Sequence, residues 1–189
     1  SVEEPLAKTK FSWSAQADHV AVTCPWGNRF HCFATGPNFG DMALGIPYVE
    51  FLIERERAAA IARFYDQVLM APAKVESGES GSVARVKIGR NQSLVFRESA
   101  EPRPEYDGHH IAIYVANFSR PYDFLKQRGL ITEDVRNHQF RFKQLVDPEN
   151  GAAVFLVEHE VRSLHHPMFH RVMVNRDPNE SARRYRRGR

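Results

Sequence analysis

The stretch "DGHHIAIYV", Asp107 to Val115, sets two histidines at the head of an alternating apolar run. A β-strand sends successive side chains to opposite faces. His109, Ile111, Ile113 and Val115 then share one face, fit to pack under a helix. His110, Ala112 and Tyr114 share the other, a small, aromatic and polar set that suits a cavity wall. His110 is therefore the candidate for chemistry, and His109 marks the strand entrance. A neutral imidazole can ligate a metal or carry a proton near neutral pH. Tyr114 offers a phenol donor, or only fills space with its ring. Carboxylates that could work beside them occur in "LVEHEV" and "PYVEF". Glu158 and Glu160 share one strand face and His159 takes the other; Glu50 shares a face with Tyr48.

Three further groups carry a plainer reading beside the chemical one. "SLHHPMFH" adds His165, His166 and His170. A His-rich tract can bind metal or form a lid, with His165 or His166 reaching into a cavity. Pro167 restricts the residue before it and ends a strand, so an exposed turn is the simpler reading. In "RNHQFRF", Arg136 and Arg141 flank His138. Their guanidinium forks could hold a carboxylate or phosphate, or belong to a solvated hairpin. Cys24 and Cys32 are too few for a disulfide framework; they flank an expected hairpin and could pair with each other, but a reduced, cytoplasmic setting is the favoured reading. No Gly-rich phosphate loop, Cys-x-x-Cys pair or G-x-S-x-G elbow occurs.

The elements that must position these residues form a repeat. "PYVEFLIERERAAAIARFYDQVLMA", from Pro47, and "HHIAIYVANFSRPYDFLKQRGL", from His109, each run from an alternating strand through a polar turn into an amphipathic helix. Three strand-like segments follow each helix: "AKVESGES", "SVARVKIGR" and "QSLVFRES", then "ITEDVRNHQ", "FRFKQLVD" and "AAVFLVEHEV". Gly, Asn, Asp and Pro separate them, as hairpins require. Each half reads strand, helix, strand, strand, strand. Ahead of them, "HVAVT", a turn at Pro25–Asn28 and "RFHCF" parallel the last hairpin of such a module. The expected divisions are residues 1–45 as the closing part of one module plus a linker, 46–100 and 101–170 as two whole modules, and 171–189 as a basic tail.

A chain of 189 residues with 42% hydrophobic and 26% charged residues can bury a sizeable core. No apolar run reaches the roughly 20 residues that span a bilayer, so no membrane role is expected. The net charge of +3 is concentrated in the tail "SARRYRRGR". The body is close to neutral, which argues against a nucleic-acid surface.

This α+β pattern of paired βαβββ modules resembles the vicinal oxygen chelate superfamily of glyoxalases, bleomycin resistance proteins and extradiol dioxygenases. The resemblance rests on "HIAIYV", the "RFYDQVL" helix, "VDPENG" before a final strand, and "CPWGNRFHCF" in the leading fragment, within a pattern repeated twice. It implies a glyoxalase-like open barrel around a cavity, binding a small-molecule substrate or ligand, in a homodimer. It further implies ligands on the first and last strands of the modules for a divalent metal: Zn, Fe, Mn or Ni. His110 falls on the first-strand position of the second whole module. Tyr48 stands at the matching position of the first, where Glu50 could substitute as ligand or general base. Val154 or Phe155 stands where the last strand would carry its Glu, and Glu158 lies farther along the same strand. "QSLVFRE" offers Gln92 and Glu98 as polar candidates. His31 takes the last-strand position of the leading fragment. The expectation is a metal-dependent lyase, isomerase or dioxygenase with metal ligands His110, Glu158 and Glu50 and catalytic groups Glu50 and Tyr114. The alternative is a metal-free protein that binds or sequesters a small molecule, and a third is a module of a larger assembly whose pocket serves only for interaction.

Overall fold

A computed structural model describes residues 3–42, 45–78, 81–101, 105–135 and 138–169. The basic tail at 171–189, together with Arg136 and His170, lies outside the described residues. Two units divide the chain at Pro47 and Tyr48.

The first unit begins with a one-turn helix, α1 (Glu3–Leu6). An antiparallel meander follows: β1 (Ser12–Ala15), β2 (His19–Thr23) and β3 (Arg29–Phe33), in the order β1-β2-β3. The turn between β2 and β3 closes with Cys24 N–H donating to the Asn28 carbonyl at 2.9 Å. Gly27 adopts φ 87° there, a conformation in which any side chain would be strained. Cys24 is buried and Cys32 exposed, both as free thiols.

The second unit holds two four-stranded sheets. The first runs β4 (Tyr48–Ile53), helix α2 (Ala58–Gln67), β5 (Ala73–Gly78), β6 (Gly81–Gly89) and β7 (Gln92–Glu98). The second runs β8 (His110–Val115), helix α3 (Ser119–Gln127), β9 (Ile131–Val135), β10 (Gln139–Val146) and β11 (Ala153–Ser163). Their strand orders, β4-β7-β6-β5 and β8-β11-β10-β9, are the same order twice. In each, the first strand pairs parallel to the last, and the other pairs are antiparallel. The βαβββ pattern legible in the sequence is the pattern of the fold.

Helix α2 forms because "AAAIARFYDQ" is rich in good helix formers and returns apolar residues to one side. Ala58, Ile61, Ala62 and Tyr65 are buried there, with Phe64 beside them. Its first turn has no capping side chain of its own. Instead Glu98, at the end of β7, accepts from Ala58 N–H and Ser82 N–H, both at 3.0 Å. A carboxylate at a helix N-terminus also meets the positive end of the helix dipole. Burial raises the Glu98 carboxyl pKa, but these backbone N–H groups overcome it and hold the group below its ordinary value. Glu98 therefore ties sheet to helix, and its side is the helix side. Helix α3 starts where the Asn117 side chain accepts from Arg120 N–H at 3.1 Å. It stops at Gly129, with φ 65° and Leu130 N–H donating to the Leu125 carbonyl.

Both sheets and helix α2 share one core. Phe96 of β7 lies 5.3 Å from Phe51, 5.4 Å from Tyr65 and 5.7 Å from Phe155, centroid to centroid, so rings from both sheets meet. A polar clamp reinforces the contact. Arg63 of α2 donates to both carboxylate oxygens of Asp147, at 3.2 and 2.6 Å, in the turn that leaves β10. The guanidinium holds the Asp147 carboxyl below its usual range. Arg63→Ala leaves a buried carboxylate without its partner and should cost about 2 kcal/mol, reduced from the fully buried case because the guanidinium is part-exposed. Urea unfolding followed by circular dichroism measures it, and a loss indistinguishable from zero would show that the clamp is idle.

Candidate functional site

The polar face of the second sheet is built by strand parity. Val157, His159 and Val161 of β11 point to the core, where all three are fully buried. Glu158, Glu160 and Arg162 therefore point the other way. The parallel register sets Glu158 beside His110, Glu160 beside Ala112 and Arg162 beside Tyr114. His110 and Glu158, singled out from the sequence, are thus cross-strand neighbours on one face.

Arg141, on β10 opposite Glu160, organises this face. Its Nη1 donates to Glu158 at 3.0 Å, its Nη2 pairs with Glu160, and its Nε lies 3.3 Å from Glu133. Three carboxylates converge on one guanidinium. Lys143 adds a second cation 3.5 Å from Glu158. Arg162 pairs with Glu160 and donates from Nη1 to the Tyr114 hydroxyl at 3.0 Å. Cations and carboxylates balance: Arg141, Lys143 and Arg162 against Glu133, Glu158 and Glu160.

The segment after β11 folds back beside Tyr114. Phe169 packs 5.2 Å from the Tyr114 ring and His166 6.3 Å from it, and the Met168 sulfur lies 3.9 Å from Arg162. Burial, together with the Arg162 charge, holds the His166 imidazole below its ordinary pKa. His165 turns away toward His138, 6.1 Å between ring centroids. These two line a separate cleft of about 490 Å³ with Asn117, Ser119 and Ser163.

The first sheet repeats the layout with different side chains. Tyr48 lies beside Ser93, Glu50 beside Val95, and Leu52 beside Arg97, at the registers of the three pairs just named. Arg97 thus matches Arg162, and Arg85, opposite Val95, matches Arg141. The carboxylate has moved from the last strand to the first. Glu50 accepts from Arg97 through both oxygens, at 3.0 and 2.9 Å.

The expected donor set is therefore not brought together. His110 and Glu158 are adjacent, but Glu158 is held by two cations and Glu50 belongs to an arginine on the other sheet. No group of three His, Cys, Asp or Glu side chains able to hold a metal ion occurs among the described residues. Glu160, which strand parity already sets on the Glu158 face, and Arg162, which the sequence reading leaves out, complete the face. The alternation in "LVEHEVR" contained their placement, but their partners lie on other strands.

No protein-family model matches the sequence, and no curated protein matches it. Solved structures do. Glyoxalase I of Zea mays, in a variant form, matches 86% of this chain and 62% of its own at 10% identity and a TM-score of 0.55. This chain thus spans less than two thirds of that one. A possible glyoxalase from Bacillus cereus matches 64% of this chain and 99% of its own, at 14% identity and a TM-score of 0.46. An antibiotic-binding protein from Streptomyces matches 65% and 98%, at 14% identity and 0.42. With two sheets of order first-last-third-second, each carrying its crossover helix, the chain has a glyoxalase-like fold of paired βαβββ modules.

Proposed function

We propose that the protein binds a small molecule on the polar face of the second sheet and does so without a metal ion. The single observation behind this reading is Arg141, whose guanidinium engages Glu133, Glu158 and Glu160 at once. A divalent cation would have to displace a cation already hydrogen-bonded to the same oxygens. The donor set among the described residues does not fit a metal.

What the face offers a ligand follows from its hydrogen bonds. The Tyr114 oxygen accepts from Arg162, which leaves its proton to donate to a ligand oxygen. His110 stands exposed beside Glu158, ready to donate or accept. The Tyr114, His166 and Phe169 rings supply apolar surface at one end. Because the charges balance, the face suits a ligand without net charge, carrying oxygen acceptors and an apolar portion. A cytoplasmic homodimer completes the reading: free thiols fit the first, analogy of fold supports the second, and sedimentation tests the second. No described helix is long and apolar enough to cross a membrane.

The test is elemental analysis of purified protein after loading with Zn, Mn, Ni or Fe(II), beside ligand screening by thermal shift. The expected result is no stoichiometric ion, with stabilisation by neutral oxygenated compounds that a chelator leaves unchanged. Tyr114→Phe should then weaken ligand binding about tenfold, the worth of one hydrogen bond. One ion per chain, lost in His110→Ala and Glu158→Gln, would restore the metal-dependent lyase, isomerase or dioxygenase reading.

A further inference from the structure

Strand β11 ends at Ser163, and residues 164–169 turn back beside the polar face as a strap. Pro167 has no N–H to donate to a neighbouring strand, so the chain turns instead of extending. His166 N–H donates to the Ser163 carbonyl and Phe169 N–H to the His166 carbonyl, both at 3.0 Å. The near end is anchored twice more. Ser163 N–H donates to the His138 carbonyl at 3.0 Å, and His165 N–H to the Ser163 hydroxyl at 3.1 Å. The far end reaches Tyr114. The Phe169 ring packs against it, and the Met168 sulfur lies near the same Arg162 Nη1 that donates to the Tyr114 hydroxyl. The strap therefore lies against the phenol that the proposed site offers to a ligand.

One hydrogen bond inside the strap depends on a proton. Met168 N–H donates to His166 Nδ1 at 3.2 Å. A backbone N–H only donates, so this nitrogen carries no proton and the neutral ring holds its hydrogen on Nε2. Protonation at Nδ1 removes the acceptor and turns two N–H groups toward each other. It also sets a positive charge where the surroundings oppose one. His166 faces Arg162 and Glu160 from β11, His138 from the turn before β10, and the Tyr114 ring from β8. Desolvation of the half-buried ring opposes the charge most, then Arg162, with His138 adding to them. Glu160 favours the charge, but Arg141 and Arg162 already engage that carboxylate.

We infer that residues 164–169 form an acid-opened strap at the Tyr114 end of the polar face, with His166 as its trigger. Neutral His166 keeps the strap closed, and its protonation frees Met168 from Arg162 and Phe169 from Tyr114. A short segment held by so few contacts opens locally, without the rest of the fold. The direction follows from linkage. The open strap takes up a proton near the ordinary 6.5 and the closed strap only below it, so closure is complete above pH 6.5 and weakens as the pH falls. The consequence for function rests on the proposed ligand site: acid withdraws the Phe169 and His166 rings from its apolar end and releases the ligand.

Nuclear magnetic resonance of the full chain, with no ligand or metal added, tests the strap by itself. Its outcome is therefore separate from that of the ligand and metal screens. At pH 7.5 the Tyr114 and Phe169 rings should give a nuclear Overhauser cross-peak. Lowering the pH should abolish it with the same midpoint as the titration of the His166 ring, on the acid side of 6.5. The Phe51–Phe96 cross-peak of the core should persist over that range, which separates strap opening from unfolding. His166→Asn offers Met168 N–H an oxygen that takes up no proton there, and should keep the strap cross-peak throughout. Four results would overturn the inference: no Tyr114–Phe169 cross-peak at pH 7.5, its survival through the His166 titration, its loss only together with the core cross-peak, or an equal acid loss in His166→Asn.

Discussion

Replacing Phe96 by alanine should lower the stability of the second unit by about 3–5 kcal/mol, the range for a large aromatic removed from a closed core. Phe96 is fully buried, and its ring meets Phe51 of β4, Tyr65 of α2 and Phe155 of β11. The cavity therefore opens where the two sheets meet, and neighbours from both would have to collapse to fill it. Interiors are packed too tightly to absorb such a loss cheaply. Because the ring belongs to both modules, they should unfold together, in one transition displaced to lower urea. Circular dichroism follows both sheets. Tryptophan fluorescence serves as a control for the first unit, since Trp13 and Trp26 are the only tryptophans. Two separate transitions, with only the first module weakened, would show that the core is not shared.

Acid should weaken the fold through one histidine. His159 is fully buried, and its Nδ1–H donates to the Val157 carbonyl at 3.0 Å. That fixes Nε2 as the acceptor for the Tyr65 hydroxyl, 2.6 Å away on α2. The ring is thus neutral by construction, and burial pushes its pKa down from 6.5 to about 4. The unfolded chain takes up a proton near pH 6.5, while the folded chain refuses it until about pH 4. Stability is therefore full above pH 6.5, falls as the pH drops through that window, and has lost the whole contribution below it. A shift of this size corresponds to about 3 kcal/mol. Other groups also titrate in this range, so the measurement is a difference. His159→Phe keeps a ring of similar size, loses the bond to Tyr65, and should show about 3 kcal/mol less decline between pH 7 and pH 4. An unchanged acid profile in that variant would assign the acid sensitivity elsewhere.

The faces of the strands were legible without coordinates. A period of two in "HHIAIYV" separates His110 from Ile111 whatever the strand packs against, and the same rule parts Glu158 from His159. The helical period over Ala58–Gln67 and the stop at Gly129 are equally local. So is the repeat, because the same local pattern appears twice in the same order. These features are decided by chain geometry within a few residues.

The partners of those side chains are a different matter. Glu50 reads as a candidate ligand until Arg97, 47 residues later, takes both its oxygens. Glu98 reads as a polar cavity residue until the start of α2 arrives above it and uses it as a cap. Arg141 reads as part of a hairpin until β11 brings Glu158 and Glu160 alongside. Their meeting depends on a bulge between Phe142 and Gln144 that resets the register. His159 reads as the residue turned away from the site, and only the packing of α2 across the second sheet gives it Tyr65. Parity assigns a side chain to a face, but pairing register and sheet-to-helix packing choose its neighbour across tens of residues. The sequence by itself determined the strands, the helices and the side each residue takes, whereas the tertiary structure alone decided which charges meet.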